Sequence, residues 1–335
     1  MRLLTSLVAV ALGAACARSD GLCHGDAQCA AGEVCNSKGQ CNVPKASGGS
    51  YYAHPADSSG IPGQPPTGSV TAAGGTVDKL FFAVTGDTRP HNPDEIASYP
   101  KDQVGEIAKS MNAVGAQFVI DVGDHMFVTT GKASDAKAQM DLYMQAISVF
   151  PRTFFMTMGN HECNAPFCSS AGGDANLDAF LAALKPISTL PYYSFDVHTR
   201  HGLAVFVVAA DNAWDDTASN WLDATLTRAD TEAAYTIVVR HHPVEGTRLG
   251  DTDVIGVVFR HKYSLILSGH SHQYEHAWDG PTKGRAVVVG LGGANPYLTG
   301  FGTILEEDNG DLTFRLYDST GAPTADLAWS VPPRN

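Results

Sequence analysis

A chain of 335 residues with 44% hydrophobic and 17% charged side chains can bury a sizeable core, which excludes a wholly disordered chain. The formal net charge of −13 repels a phosphate backbone and argues against nucleic acid as a specific partner. It leaves a small phosphate ester open as substrate, because bound cations would set the field inside a site.

Taken from the start, Arg2 is followed by an apolar run, Leu3–Ala15, shorter than the about 20 residues of a membrane span. Gly13, Ala14 and Ala15 lead into Cys16. This resembles a bacterial lipoprotein signal with Cys16 as the acylated first residue, although Gly13 stands where such signals usually have leucine; an ordinary cleaved signal peptide is the other reading. Residues 1–16 are therefore expected to direct export. The product is expected to be a membrane-anchored lipoprotein, or otherwise periplasmic or secreted, meeting the membrane only through a lipid anchor. The 7 cysteines fit this reading, since a lipidated Cys16 leaves an even number.

Residues 17–42 form a small cysteine-rich module in which Cys23, Cys29, Cys35 and Cys41 recur at a constant spacing. A piece this short cannot build a core, so disulfides are expected to hold it, in any of the possible pairings. A zinc knot is the alternative, disfavoured by export. Residues 43–75, rich in Gly, Pro, Ser and Thr, read as a spacer. Residues 76–335 are the main domain.

In that domain, apolar runs end in polar motifs. Leu80–Thr85 leads to Gly86-Asp87, Phe118–Val122 to Gly123-Asp124, and Thr153–Met158 to Gly159-Asn160-His161-Glu162. Ala204–Ala210 leads to Asp211-Asn212, Thr236–Val239 to Arg240-His241-His242, and Leu265–Leu267 to Ser268-Gly269-His270. Short, nearly continuous apolar runs predict strands buried on both faces. Helices are predicted between them at Gln103–Asn112, Lys132–Val149, Ala175–Leu184, Ser219–Arg228 and Thr252–His261. Alternation of this kind predicts an α/β sheet. Ala286–Val289, Gly302–Glu306 and Leu312–Tyr317 have no helix between them and are expected as neighbouring antiparallel strands.

Open α/β sheets bind ligands beyond the carboxyl ends of their strands. Here those ends deliver carboxylates, an amide and imidazoles but no thiolate, a donor set suited to zinc, manganese or iron. Cys163 and Cys168, just after Glu162, are expected as a disulfide pinning the loop of His161; thiol chemistry or metal ligation is the alternative.

The order of Gly86-Asp87, Gly123-Asp124, Gly159-Asn160-His161-Glu162, His241-His242-Pro243 and Gly269-His270-Ser271-His272 resembles the calcineurin-like metallophosphoesterase superfamily. The resemblance implies a four-layer α/β sandwich of mixed β-sheets flanked by helices, here preceded by a small disulfide-rich module. It implies two divalent ions. Asp87 and His272 would hold the first, Asn160, His241 and His270 the second, and Asp124 would bridge them. A hydroxide between the ions would attack a phosphoric mono- or diester. His161 would protonate the leaving oxygen or stabilise the transition state, with Glu162 orienting it.

One departure stands out. Most of the superfamily has Asp-x-His at the first strand end; this chain has Asp87-Thr88-Arg89, and arginine has no lone pair for a metal. The purple acid phosphatase branch also lacks that histidine but supplies a tyrosine, where this chain has Phe127. The first site thus loses a ligand under both templates, with His125 and His91 as substitutes to consider. Arg89 is expected either to contact the substrate phosphate or to pair with a carboxylate. The alternative function is a surface-anchored binding protein with a degraded metal site.

Overall fold

The computed structural model describes residues 34–35, 41–42, 66–163, 168, 174–244, 251–278, 285–293, 299–325 and 330–334. The chain divides into two units, Met1–Ala56 and Asp57–Asn335. In the first, β1 (Val34–Cys35) pairs antiparallel with β2 (Cys41–Asn42), and the backbone of Cys35 lies opposite that of Cys41. The leader with Cys16, the residues Cys23 and Cys29, and the expected pairing of this module lie outside the described residues.

The second unit is built on two mixed sheets. One sets β5 (Phe81–Thr85), β6 (Phe118–Asp121) and β7 (Phe154–Met156) in parallel. On its other side β5 pairs antiparallel with β14 (Gly300–Glu306), which pairs with β15 (Leu312–Asp318). Beyond these lie β16 (Pro323–Ala325) and β17 (Ser330–Val331), both paired with β15. In the other sheet β9 (Gly202–Val208), β10 (Ala233–Val239), β11 (Leu265–Ser268) and β13 (Arg285–Val289) run parallel in that order. Strand β12 (Tyr274–Trp278) pairs antiparallel with β13 at one edge. At the other lie β8 (Tyr193–Thr199), β4 (Gly74–Val77) and β3 (Gly68–Thr71).

The sheets meet through aromatic rings. Phe82, Phe118 and Phe155 come from one sheet, and Phe195 and Phe206 from the other. The Phe155 and Phe195 rings stack at 3.7 Å, Phe195 and Phe206 at 4.7 Å, and Phe118 meets Phe195 and Phe206 edge-on at 6.0 and 5.4 Å. At the far end from the candidate site, buried Glu306 clamps the sheets: its carboxylate accepts from the Leu80 backbone N–H at 2.8 Å and the Thr199 hydroxyl at 2.9 Å.

Helices cover the outer faces. Val104, Ile107 and Met111 of α1 (Lys101–Ala113) and Ile147 of α2 (Ala133–Ile147) bury in one core with Val84, Phe118 and Phe154 of the first sheet. Helix α3 (Ala175–Leu184) packs on α2; the Asp174 side chain caps it by accepting from the Asn176 and Leu177 backbone N–H groups. Leu222, Leu226 and Ala229 of α4 (Asp216–Glu232) and Val254 and Val258 of α5 (Asp251–Val258) bury against Val205, Val207, Val238 and Ile266 of the second sheet. The result is the expected helix–sheet–sheet–helix layering. Among the described residues, no helix is long and apolar enough to cross a membrane.

Two expectations need correction. Ala286–Val289 does not join the late antiparallel strands: β13 lies in the other sheet, parallel to β11. Edge strand β12 carries the chain back antiparallel and β13 then inserts between it and β11, so this parallel pair needs no crossover helix. Residues 68–75, read as spacer, form β3 and the start of β4. This edge hairpin buries little besides Val70 and Gly74 in that stretch, so it shows no apolar run.

The aromatic interface makes a test. Phe118→Ala should lower unfolding free energy by about 3–5 kcal/mol, the usual cost of removing a buried ring, as read from denaturant midpoints on the full chain. A loss under about 1 kcal/mol would show that Phe118 does not join the sheets.

Candidate metal centre

The carboxyl ends of the central strands from both sheets converge on one point. Asp87 follows β5, Asp124 follows β6, Asn160 follows β7, His241 follows β10, and His270 and His272 follow β11. Backbone bonds knit these loops: Asp87 N–H donates to the Gly123 carbonyl at 2.8 Å, and Gly269 N–H to the His241 carbonyl at 2.9 Å.

Four of these six residues sit in the left-handed region, with φ of 56° at Asp87, 60° at Asp124, 71° at His270 and 55° at His272. That conformation costs an L-residue roughly 1–2 kcal/mol, so the packing around it must hold the strain. Glycines provide the room. A Cβ on Gly159 would stand 2.3 Å from an Asp124 carboxylate oxygen, and one on Gly290 would stand 2.1 Å from an Asp87 carboxylate oxygen. Gly290 begins the segment after β13 that wraps Asp87. Sequence reasoning missed it, because a glycine carries no chemistry of its own; the Gly290-Leu291-Gly292-Gly293 cluster was the available signal.

One half of the site gathers four polar side chains. His270 Nδ1 is 2.8 Å from Asn160 Oδ1, and His241 Nε2 is 3.1 Å from the same oxygen. His241 Nε2 also lies 3.3 Å from Asp124 Oδ1 and 3.3 Å from His270 Nδ1. The Val122 carbonyl sits 2.8 Å from His241 Nδ1, so that nitrogen carries a proton and Nε2 is the ring atom that faces inward. The Asn160 and Asp124 oxygens converge on these imidazole nitrogens, which calls for a proton or a metal ion among them. Burial pulls the His241 imidazole down, yet the Asp124 carboxylate outweighs it and raises the ring to about 10: the pocket favours positive charge at this nitrogen. A divalent ion can supply it, and the donors suit zinc, manganese or iron. Asp87, Asp124 and His241 also form a group with atoms close enough to share an ion.

Asp87 is fully buried and its Oδ1 has no hydrogen-bond partner among the described residues. Burial pushes its carboxyl up to about 7. The other half of the site differs from the first: Arg89 reaches into it. Its Nη2 lies 3.1 Å from His272 Nε2 and its Nε 3.4 Å from Asp124 Oδ2, and its guanidinium covers the Phe127 ring at 4.6 Å. Burial and then the Arg89 charge push the His272 imidazole down to about 4. His272 Nε2 is 3.7 Å from Asp87 Oδ1.

His161 stands at the rim, its ring packed on Phe127 at 4.3 Å and its Nε2 3.7 Å from Asp124 Oδ2. Its side chain is 18% exposed, and its backbone N–H donates to Asp124 Oδ1 at 3.1 Å. Burial lowers its pKa and Asp124 opposes the shift. Glu162 does not orient this ring. Its carboxylate turns inward and accepts from the backbone N–H groups of Asp124 at 3.0 Å, His125 at 2.7 Å, Met126 at 3.2 Å and Gly159 at 2.7 Å. It thereby pins the loop of Asp124 to the turn of Asn160. The reason is steric: Gly159 brings that turn against Asp124, so the next acid in the turn faces the neighbouring loop's donors.

His125 is no substitute ligand: its Nε2 faces Asp121 at 3.0 Å and its Nδ1 faces Glu162 at 3.5 Å, both fully buried. His91 is exposed. Behind His241, fully buried Arg240 pairs with Asp211 at 3.0 Å. Burial raises the Asp211 carboxyl, but Arg240 and His242 hold it at about 2. Asp211 also accepts from the His242 backbone N–H at 3.1 Å, which fixes the His241-His242 turn. Cys163 and Cys168 are joined by a disulfide, as expected, and Cys168 N–H donates to the Asn212 carbonyl at 2.7 Å.

The Glu162 pin predicts that Glu162→Gln, which puts an amide donor among four backbone donors, costs about 3 kcal/mol of stability. Thermal unfolding would show this. A change within about 0.5 kcal/mol would mean the carboxylate does not hold these loops.

The chain matches the calcineurin-like phosphoesterase family over residues 82–274. No curated protein matches it. Its fold is similar to GAP50, the anchor in the inner membrane complex of Plasmodium, with TM-score 0.55 and 16% identity over 77% of this chain and 90% of that one. It is also similar to the purple acid phosphatase PPD1 from yellow lupin (Lupinus luteus) seeds, with TM-score 0.54 and 17% identity over 74% of this chain and 53% of that one. A dimetal phosphatase from Danio rerio gives TM-score 0.53 and 12% identity over 74% of this chain and 98% of that one. The family match takes in both sheets' converging strand ends and spans more than half of the chain, which therefore belongs to the calcineurin-like phosphoesterase family.

Proposed function

We propose that the protein hydrolyses small phosphoric esters, as a phosphomonoesterase or phosphodiesterase, with a divalent ion held by Asp124, Asn160, His241 and His270. The observation that carries this reading is the convergence of four lone-pair donors from both sheets, 2.8–3.3 Å apart, beside the rim imidazole of His161. When bound, the ion polarises the phosphoryl group and makes water a competent nucleophile near neutral pH.

The chain's own residues do the rest. The Val122 carbonyl keeps His241 in the tautomer that can coordinate, and the Glu162 carboxylate keeps the Asp124 and Asn160 loops in register. His161, steadied by Phe127 and by its backbone bond to Asp124, offers Nε2–H to the leaving oxygen. Arg89 adds a fixed positive charge on the same wall, where the ester's anionic oxygens must lie. The Cys163–Cys168 disulfide supports an oxidising, exported location.

One observation favours a second reading, a surface-anchored binding protein. Arg89 intrudes on the donor set. GAP50, similar in fold, is an anchor.

Hydrolysis of a chromogenic phosphate mono- and diester after reloading with zinc, manganese or iron decides between them. Asp124→Asn should lose bound metal. His161→Ala should keep its metal and lose turnover by roughly 10² to 10⁴. Equal metal loss in both variants would remove His161 from its role, and no turnover with any ester under any metal would favour the binding protein.

A further inference from the structure

We propose that this centre takes one divalent ion rather than two, because the Arg89 guanidinium stands in the first-metal position as a built-in cation between Asp124 and His272. The proposal rests on the metal reading above but concerns a count, which can be measured without substrate.

The argument starts from what each nitrogen can do. A guanidinium has only donors, so in the 3.1 Å contact of Arg89 Nη2 with His272 Nε2 the imidazole must accept. An imidazole nitrogen has one lone pair, directed in the ring plane. Once it accepts from Arg89 it has none for a metal, which would need it at about 2.0–2.1 Å. The second shared group is Asp124. Its Oδ2 lies 3.4 Å from Arg89 Nε, while its Oδ1 faces His241 Nε2 at 3.3 Å on the other side. Asp124 thus bridges as the family resemblance implies, but between the four-donor knot and a guanidinium.

Arg89 is also held where it is. Its Nη1 donates to the Pro90 carbonyl at 3.2 Å, its plane lies over Phe127, and its side chain is only 18% exposed. A divalent ion on Asp87, Asp124 and His272 would have to expel the guanidinium from this stack and leave a full positive charge beside itself. Phe127 belongs to the same substitution. Where a related branch has a tyrosine able to ligate, this ring has no donor atom and offers its face to the arginine. Two departures that each looked like a lost ligand make one device when seen together.

Asp124 meets the guanidinium through Oδ2 and keeps Oδ1 turned toward His241 in the four-donor knot. One ion therefore keeps a full donor set.

The test uses the full chain, stripped with a chelator, reloaded with excess Mn²⁺ and desalted. Elemental analysis should find about one manganese per chain. Electron paramagnetic resonance should show the six-line pattern of an isolated ion. Arg89→His and Arg89→Ala should each bind about two ions, with the broadened, many-line spectrum of a coupled pair, as expected for ions within about 4 Å. Arg89→Lys keeps a cation and should stay near one. In the unchanged residue-89 background, His241→Ala should remove the ion and His272→Ala should retain it.

Two ions in the unchanged protein would overturn the proposal while leaving metal-dependent hydrolysis intact. No bound ion would overturn both. One ion in folded Arg89→Ala and Arg89→His would show that the guanidinium is not what excludes the second. If those variants fail to fold, the count in the unchanged protein decides alone.

Discussion

The constraint on which the rest depends is electrostatic. Two carboxylates, Asp87 and Asp124, are buried together with the inward-facing Asn160 oxygen and the His241 and His270 nitrogens. Such groups repel and lose their hydration when gathered in a dry pocket, so they can stay ionised together only beside positive charge. Arg89 supplies part of that charge from the chain itself, and the four-donor knot is shaped to take the remainder as a metal ion.

The scaffold pays for this gathering in several places. Left-handed backbone at Asp87, Asp124, His270 and His272 turns their side chains inward at the strand ends. The close approaches at Gly159 and Gly290 are possible because glycine has no side chain to strike a carboxylate. Glu162 and Asp211 are buried acids, but each is satisfied, one by four backbone donors and the other by Arg240 and His242. They stabilise the loops without adding unpaired charge to the centre. The aromatic interface of Phe82, Phe118, Phe155, Phe195 and Phe206 then locks the two sheets, so that polar atoms from both meet 2.8–3.3 Å apart.

Arg89 changes what the site means. A ligand missing from a two-metal template reads as damage when only the motif is considered. In the folded chain the same residue fills a defined position, stacked on Phe127 and bonded to His272. Replacing a divalent ion by a guanidinium lowers the centre's charge by one unit but makes that charge permanent, independent of metal supply. Such a centre would still offer what metal-assisted hydrolysis needs, a donor set for an ion, a positively charged wall and the rim imidazole of His161.

Much of this was legible in the sequence. Continuous apolar runs at Phe81–Thr85, Phe118–Asp121 and Ala233–Val239 announce doubly buried strands, because a strand between a second sheet and a helix layer has no polar face. The polar residue after each run marks the strand end, and five such ends in one order are enough to place the candidate donors. Three things required the tertiary structure. Strand β13 joined the other sheet because an edge strand replaced the helix that a parallel connection usually needs, and no local pattern records that. Glu162 faced its neighbours' backbone rather than His161, because a side chain's direction in a tight turn is set by which loop packs against it. Arg89 met His272, 183 positions away, through a contact made only once two sheets had packed together. Sequence fixes which groups are available and at which strand end; which of their lone pairs remain free for a metal is decided by distance and direction, and only the folded chain has those.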